Sequence, residues 1–216
     1  MSAGLPILDF GGGFILRHAT ADDHDDLARI CLMTGNAGSD ASATEDDPRL
    51  LGLIYAIPYQ VLEPALAFVI EGPQGPAGYL FGALDTAAFN ARQARDWYPA
   101  LQRRCADPGP DPSRWKGSDW ARRLIHHPGL APRASLAAYP SHGHIDLLEP
   151  ARGRGIGRKA MTFLLERLHR GGSAGIHLQV DPRNERGLSF YRRLGFDRVV
   201  ADDLPADIAF MAKPLP

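Results

Sequence analysis

The sequence predicts an α/β fold, α+β in its ordering, with one mixed central sheet of about seven strands flanked by helices. Three observations predict it. Short apolar, β-branched runs alternate along the chain with segments of helical periodicity. One of those segments places Met161, Leu164, Leu165 and Leu168 at i, i+3, i+4 and i+7, an apolar stripe of the kind that packs on a sheet. Between that helix and the strand pattern before it lies Arg152-Gly153-Arg154-Gly155-Ile156-Gly157, a turn only glycine-rich backbone can make.

In chain order, Phe14-Ile15-Leu16-Arg17 reads as a first strand. Thr20 suits a helix N-cap, and Asp22, Asp23, Asp25 and Asp26 favour the positive end of the helix dipole. That helix carries Leu27, Ile30 and Cys31 and stops near Gly35. A polar loop follows to Asp47, then a second helix through Leu50, Leu51, Leu53, Ile54 and Tyr55 that ends before Pro58. Residues 66–70 and 78–84 read as a hairpin around Gly72-Pro73-Gln74-Gly75-Pro76. Residues 86–140, rich in Pro, Trp and Arg, read as an irregular insertion without a core of its own. His144 to Leu148 is the strand that delivers the chain to the glycine turn. After the striped helix, closed by Gly171-Gly172, come a strand over 176–180 and a helix from Asn184 to Leu194. Gly195 stops that helix, and a final hairpin uses Phe196–Val200 and Ile208–Ala212.

The 216 residues suit a single domain, 1–216, with one core. Cys31 and Cys105 are the only cysteines, which fits free thiols in a reducing compartment. With no leader-like N-terminus and no apolar run long enough for a membrane, a cytoplasmic location is expected, without membrane partners. The formal net charge of −1 argues against nucleic acid as a partner. Charge is uneven along the chain: residues 1–50 hold 3 basic and 9 acidic side chains, whereas residues 86–170 hold 15 basic and 7 acidic. A basic middle suits an anionic ligand.

A tight glycine turn feeding a helix points free N–H groups and the positive dipole end at one spot, the makings of a pyrophosphate cradle. Two rival readings of the turn fail. A P-loop ends in Gly-Lys-Ser/Thr, and here Gly157 precedes Arg158-Lys159-Ala160. A dinucleotide fingerprint needs a third glycine where Arg158 stands. Downstream come Asn184, then Leu188, Phe190 and Tyr191, then Leu194-Gly195-Phe196. Together these motifs resemble the GNAT superfamily of acyl-CoA-dependent N-acetyltransferases, whose Arg/Gln-x-x-Gly-x-Gly/Ala signature is met by Arg152, Gly155 and Gly157. The resemblance covers nearly the whole chain except 86–140. Segments such as Thr34-Gly35-Asn36-Ala37-Gly38-Ser39-Asp40-Ala41, Tyr55-Ala56-Ile57-Pro58-Tyr59 and Tyr139-Pro140-Ser141-His142-Gly143-His144-Ile145-Asp146 are similar to the C-terminal acetyltransferase-like domain of O-GlcNAcases. In animal members of that group the cofactor loop is degraded; here it is intact.

The resemblance implies acetyl-CoA as co-substrate, no metal, and a small-molecule or peptide amine as acceptor. Backbone N–H groups of Gly153, Arg154, Gly155, Ile156, Gly157 and Arg158 are expected to hold the pyrophosphate, with Arg152, Arg154 and Arg158 adding charge. By position, Leu147 and Leu148 would present backbone to the pantetheine arm. Asn184 and Tyr191 lie two turns apart on one helix face. By resemblance Asn184 contacts the cofactor, although it also suits an N-cap, and Tyr191 protonates the departing sulfur.

For the general base, His142, His144 and Asp146 share one strand face, and His142 sits closest to where some relatives place a base. Asp40, Tyr55, Asp85, Trp97 and Asp146 are the candidates for acceptor binding, with Tyr59 and Tyr98 as further aromatics. His126-His127 lacks the companions of a metal site. The alternative to a transferase is a non-catalytic module that binds acyl-CoA or a protein partner.

Overall fold

The computed structural model describes residues 5–216. Among the described residues, eight strands form one sheet in the order β1-β2-β3-β4-β5-β6-β8-β7. They are β1 (Leu8–Gly11), β2 (Phe14–His18), β3 (Ala67–Gly72), β4 (Gly75–Ala83), β5 (Ser141–Leu147), β6 (Gly175–Val180), β7 (Asp197–Val199) and β8 (Ala209–Pro214). Every neighbouring pair is antiparallel except β5 and β6. The sequence expectation of about seven strands is one short. The missed strand is β1, an edge strand of four residues folded back on β2 through Gly11, Gly12 and Gly13, all at positive φ. Four residues are too few for a period of two to stand out.

The helices are α1 (His24–Thr34), α2 (Leu50–Tyr55), α3 (Ile57–Leu62), α4 (Thr86–Arg92), α5 (Tyr98–Gln102), α6 (Asp119–His126), α7 (Ile156–Arg170) and α8 (Glu185–Arg193). They cover both faces of the sheet. On one face Leu164, Leu168 and Met161 of α7 pack with Leu16, Phe68, Ile70 and Leu80. On the other, Leu27, Ile30 and Cys31 of α1, Leu51 of α2 and Ile57 of α3 cover Val69, Tyr79 and Phe81. Burying such a leucine or isoleucine fully contributes roughly 1.5–3 kcal/mol.

Three boundaries differ from the sequence reading. The helix read as ending before Pro58 breaks at Ala56 and resumes as α3, with Pro58 in the first turn, where its missing N–H costs nothing. Thr20 caps a 3₁₀ turn, Ala21–Asp23, that leads into α1. The 86–140 segment is more regular than expected. Its Tyr98, Leu101, Ala121 and Ile125 form a small core by borrowing Leu50 and Ile54 from α2. A segment that completes its core on another element shows too little periodicity of its own.

Candidate active site

Strand β5 is fully paired with β4 from His142 to Leu147. Its parallel pairing with β6 is limited to Ser141↔Ile176 and His142↔His177, and beyond these the two strands part. Leu148 N–H donates to the Ala77 carbonyl at 2.8 Å. By the alternation of an antiparallel ladder, the N–H and C=O of Leu147 therefore face the gap, and those of Leu148 do not. Gly78 lets β4 and β5 close up here, since a Cβ on it would lie 2.6 Å from the Asp146 carbonyl oxygen.

An open cleft of about 1440 Å³ runs through this gap, bounded by α2, α3, the 86–140 segment, the glycine turn and α8. At its head, Gly155 is the N-cap of α7 at φ 76°, and Gly153 is also left-handed at φ 73°. Space beside both is open, with no atom within 4 Å of where a Cβ would stand. Among the described residues, the backbone N–H groups from Gly153 to Arg158 have no acceptor within the protein; the first satisfied one is Lys159, on Gly155. A run of free donors at a helix N-terminus is an anion site. Gly157 serves packing instead: its Cβ position is 3.3 Å from the Phe190 ring and 3.4 Å from Leu147. The Ile156 side chain is core.

The three arginines of the turn differ in role. Arg152 points inward, with Nε donating to the Leu147 carbonyl at 2.6 Å and Nη2 to the Gly38 carbonyl at 3.0 Å. Burial, then the neighbouring Arg186 cation, lower its pKa. Arg154 leaves the cleft, donating to the Pro150 carbonyl and lying over the Phe14 ring. Arg158 is exposed in the first turn of α7 and lines the cleft.

Asn184 is the N-cap of α8, accepting from Gly187 N–H at 2.8 Å, and it borders the cleft beside Gly38. Tyr191, two turns later, is buried against Phe190 and Phe196 with its side chain on the cleft. Burial, then the Asp146 charge, raise its pKa and keep it protonated.

Across the cleft, His142, His144 and Asp146 share the β5 face opposite α7, because the would-be Cβ of the intervening Gly143 meets Leu164. His142 Nδ1 lies 2.9 Å from Thr86 Oγ1, and its ring packs edge-on against Tyr59 and Phe89. Burial, with help from His177 and His144, pushes its pKa down to about 3, which makes it a weak proton acceptor at neutral pH. His144 differs: Nδ1 is 3.0 Å from the Tyr55 carbonyl and Nε2 3.0 Å from Asp146 Oδ2. The Tyr79 hydroxyl donates to the same carboxylate oxygen. Sequence reasoning missed Tyr79, and the two-residue spacing of His144 and Asp146 was the signal that could have paired them.

Tyr55, Asp85 and Asp146 line the cleft, whereas Asp40 and Trp97 do not. Asp40 caps a surface turn by accepting from Ser42 N–H at 2.8 Å. The Trp97 indole donates to the Leu53 carbonyl at 2.8 Å within the core between α2 and α5. Asp85 caps α4 through Ala88 N–H at 3.0 Å. His127 pairs with Asp107 at 3.0 Å, and among the described residues no cluster of three His, Cys, Asp or Glu side chains is arranged to hold a metal.

The sequence pattern of the acetyltransferase (GNAT) family matches residues 133–196, from the end of the 86–140 segment through α8. The crystal structure of SsHAT superposes with a TM-score of 0.85 at 33% identity, covering 94% of this chain and 99% of that one. Protein O-GlcNAcase of Rattus norvegicus is 26% identical over 149 residues, 68% of this chain but 16% of the relative, so the chain matches only a small part of that protein. A GNAT phosphinothricin acetyltransferase from Sinorhizobium meliloti, in complex with AcCoA, shares the fold at a TM-score of 0.54 and 18% identity, covering 94% of this chain and 89% of that one. With its splayed β5–β6 gap, glycine turn and whole-chain match to SsHAT, this chain belongs to the GNAT acetyltransferase family.

Proposed function

We propose that the protein transfers the acetyl group of acetyl-CoA to the nitrogen of an amine. The observation that carries this is the run of free backbone donors from Gly153 to Arg158, aimed into a cleft that continues along an unpaired strand edge. A pyrophosphate fits the donors, and the left-handed glycines leave the room it needs. The acetyl-CoA bound in the Sinorhizobium meliloti relative supports the same ligand here. Bound there, acetyl-CoA supplies an activated acyl thioester.

The chain's own residues then have distinct tasks. Arg158 adds charge beside the free N–H groups, while Arg152 holds the turn against β5. The Leu147 N–H, facing the gap, is placed to donate to the thioester oxygen as charge builds on it. Tyr191 gives its proton to the departing sulfur. Burial raises the proton affinity of Tyr191, and it does the same for a thiolate formed beside it, so the transfer stays matched. The acceptor nitrogen enters from the side of Tyr55 and Asp146.

The test is release of coenzyme A thiol in the presence of acetyl-CoA and a panel of phenethylamine, spermidine and a lysine-containing peptide. Acceptor-dependent release supports the transferase reading. Acetyl-CoA binding with no release above the hydrolysis background across the panel favours the non-catalytic module instead.

A further inference from the structure

The acceptor side of the cleft contains a slot for one proton. His144 Nδ1 faces the Tyr55 carbonyl oxygen at 3.0 Å, and a carbonyl only accepts, so Nδ1 carries a hydrogen. That leaves Nε2 of a neutral ring as an acceptor, and it faces Asp146 Oδ2, another acceptor, at 3.0 Å. Two lone pairs at that distance repel, and a proton between them turns the contact into a charge-assisted hydrogen bond. The Tyr79 hydroxyl steadies the same oxygen. Among the described residues Oδ1 of Asp146 has no hydrogen-bond partner, and the side chain borders the cleft.

We propose that His144 and Asp146 form the proton-accepting unit of the acceptor site, with the acceptor's ammonium docking on Asp146 Oδ1 and its proton ending on His144 Nε2. This rests on the transferase reading above. In the step, one N–H bond of the ammonium breaks and an O–H bond forms at Asp146. That O–H bond then breaks as the carboxyl turns and hands the same proton to Nε2, where an N–H bond forms and Asp146 is a carboxylate again. The positive charge moves from the acceptor to the imidazole, and the acceptor nitrogen regains its lone pair. Asp146 touches the substrate and is catalytic; His144 acts through it and sets its orientation and charge. The proton acceptor is thereby placed two residues from His142, the expectation from sequence.

The surroundings favour this assignment. The groups that face the dyad are His142 on β5, Tyr79 on β4, Cys31 on α1 and Tyr55 on α2. His177 of β6 stands behind His142, Tyr191 of α8 lies opposite, and Arg152 is the nearby fixed cation. Burial lowers the His144 pKa, but the Asp146 charge, its hydrogen bond and the Tyr55 carbonyl outweigh it, so the net shift is upward. A base in that range is matched to an ammonium group better than an ordinary imidazole.

The experiment is a pH titration of histidine-labelled protein by long-range ¹H–¹⁵N NMR, with His144 assigned from His144→Gln. The dyad predicts that His144 gains its proton above the ordinary value of about 6.5. In Asp146→Asn, proton affinity at His144 falls by tenfold or more. A second arm follows kcat/KM against pH with the best amine of the panel. Its acidic limb coincides with the His144 titration in the wild type and disappears in His144→Gln, which keeps its acetyl-CoA affinity. Asp146→Asn lowers kcat/KM by about 100-fold or more. A His144 that titrates near or below 6.5, or that ignores Asp146→Asn, overturns the proposal. So does a pH limb that survives in His144→Gln. Turnover with the pair unlinked overturns only the dyad; acetyl-CoA binding with no turnover overturns the transferase reading and the dyad with it.

Discussion

Arg152 donates to the carbonyl of Gly38, 114 residues away, at 3.0 Å, while its Nε holds the Leu147 carbonyl at 2.6 Å. Arg186 reaches the same Gly38 oxygen at 3.3 Å. One side chain thus ties the turn after α1 to the end of β5 and the head of the glycine loop. Lysine offers one ammonium nitrogen in place of two guanidinium nitrogens held in a planar fork, so it does not reproduce both contacts in this geometry. Arg152→Lys is expected to weaken acetyl-CoA binding about tenfold, roughly 1.4 kcal/mol, and to speed hydrogen exchange in residues 36–40. Unchanged exchange there in the variant would separate Arg152 from the Gly38 turn.

Tyr191→Phe removes one hydroxyl from a ring already packed between Phe190 and Phe196. The fold and the acetyl-CoA affinity should persist while kcat falls by about 100-fold, the usual range for loss of a general acid. Equal kcat in variant and wild type would remove Tyr191 from the proton path.

The N-terminal sheet edge is held by a buried ion pair. Arg17, 7% exposed, donates to both oxygens of Asp23 at 2.9 and 2.7 Å and also to Glu71 at 2.6 Å. Asp23→Ala leaves the guanidinium without its main partner and should cost about 3–5 kcal/mol in denaturant unfolding. The Asp23 pKa is lowered in the fold: burial opposes this, and the Arg17 and Thr20 hydrogen bonds outweigh it. A lowered carboxyl pKa gives stability that is full above the unfolded value near ~4 and is lost as pH falls through the folded one. Urea melts of wild type and Asp23→Ala should therefore converge in acid; a gap constant down to pH 2 would contradict the ion pair.

His142 carries a pH dependence of its own. Its pKa, pushed down to about 3 by burial, lies below the unfolded value near 6.5, so the unfolded chain takes up the proton first. Stability from this site is full above about pH 6.5 and drains away as pH falls toward 3. His142→Phe should flatten the decline in melting temperature between pH 7 and pH 5. An identical slope in both proteins would mean that the ring reaches water freely.

What the sequence made legible was local. The turn at Gly153–Gly157, the stripe of Met161, Leu164 and Leu168, and the Asn184 cap each follow from residues within one or two helical turns of each other. What it hid was tertiary. The parting of β5 from β6 after His142 leaves no mark in composition, because an unpaired edge needs the same residues as a paired one; only the family resemblance, which puts backbone at Leu147 on the pantetheine arm, pointed to it. The inward aim of Arg152 depends on Gly38, and the dyad on Tyr79 and the Tyr55 carbonyl, 65 and 89 residues from His144. Asp40 and Trp97 misled for a plainer reason: an acidic and an aromatic residue near a site suit caps and cores equally well.

Binding of acetyl-CoA at the glycine turn is tested by calorimetric titration of the wild type beside Gly155→Asp. Gly155 is at φ 76°, so a side chain there costs about 1–2 kcal/mol of backbone strain and sets a carboxylate among the free N–H donors. Saturable acetyl-CoA binding by the wild type and at least tenfold weaker binding by a folded Gly155→Asp is the predicted result. Equal binding by both, or none by the wild type, would contradict the assignment of the turn as the cofactor site.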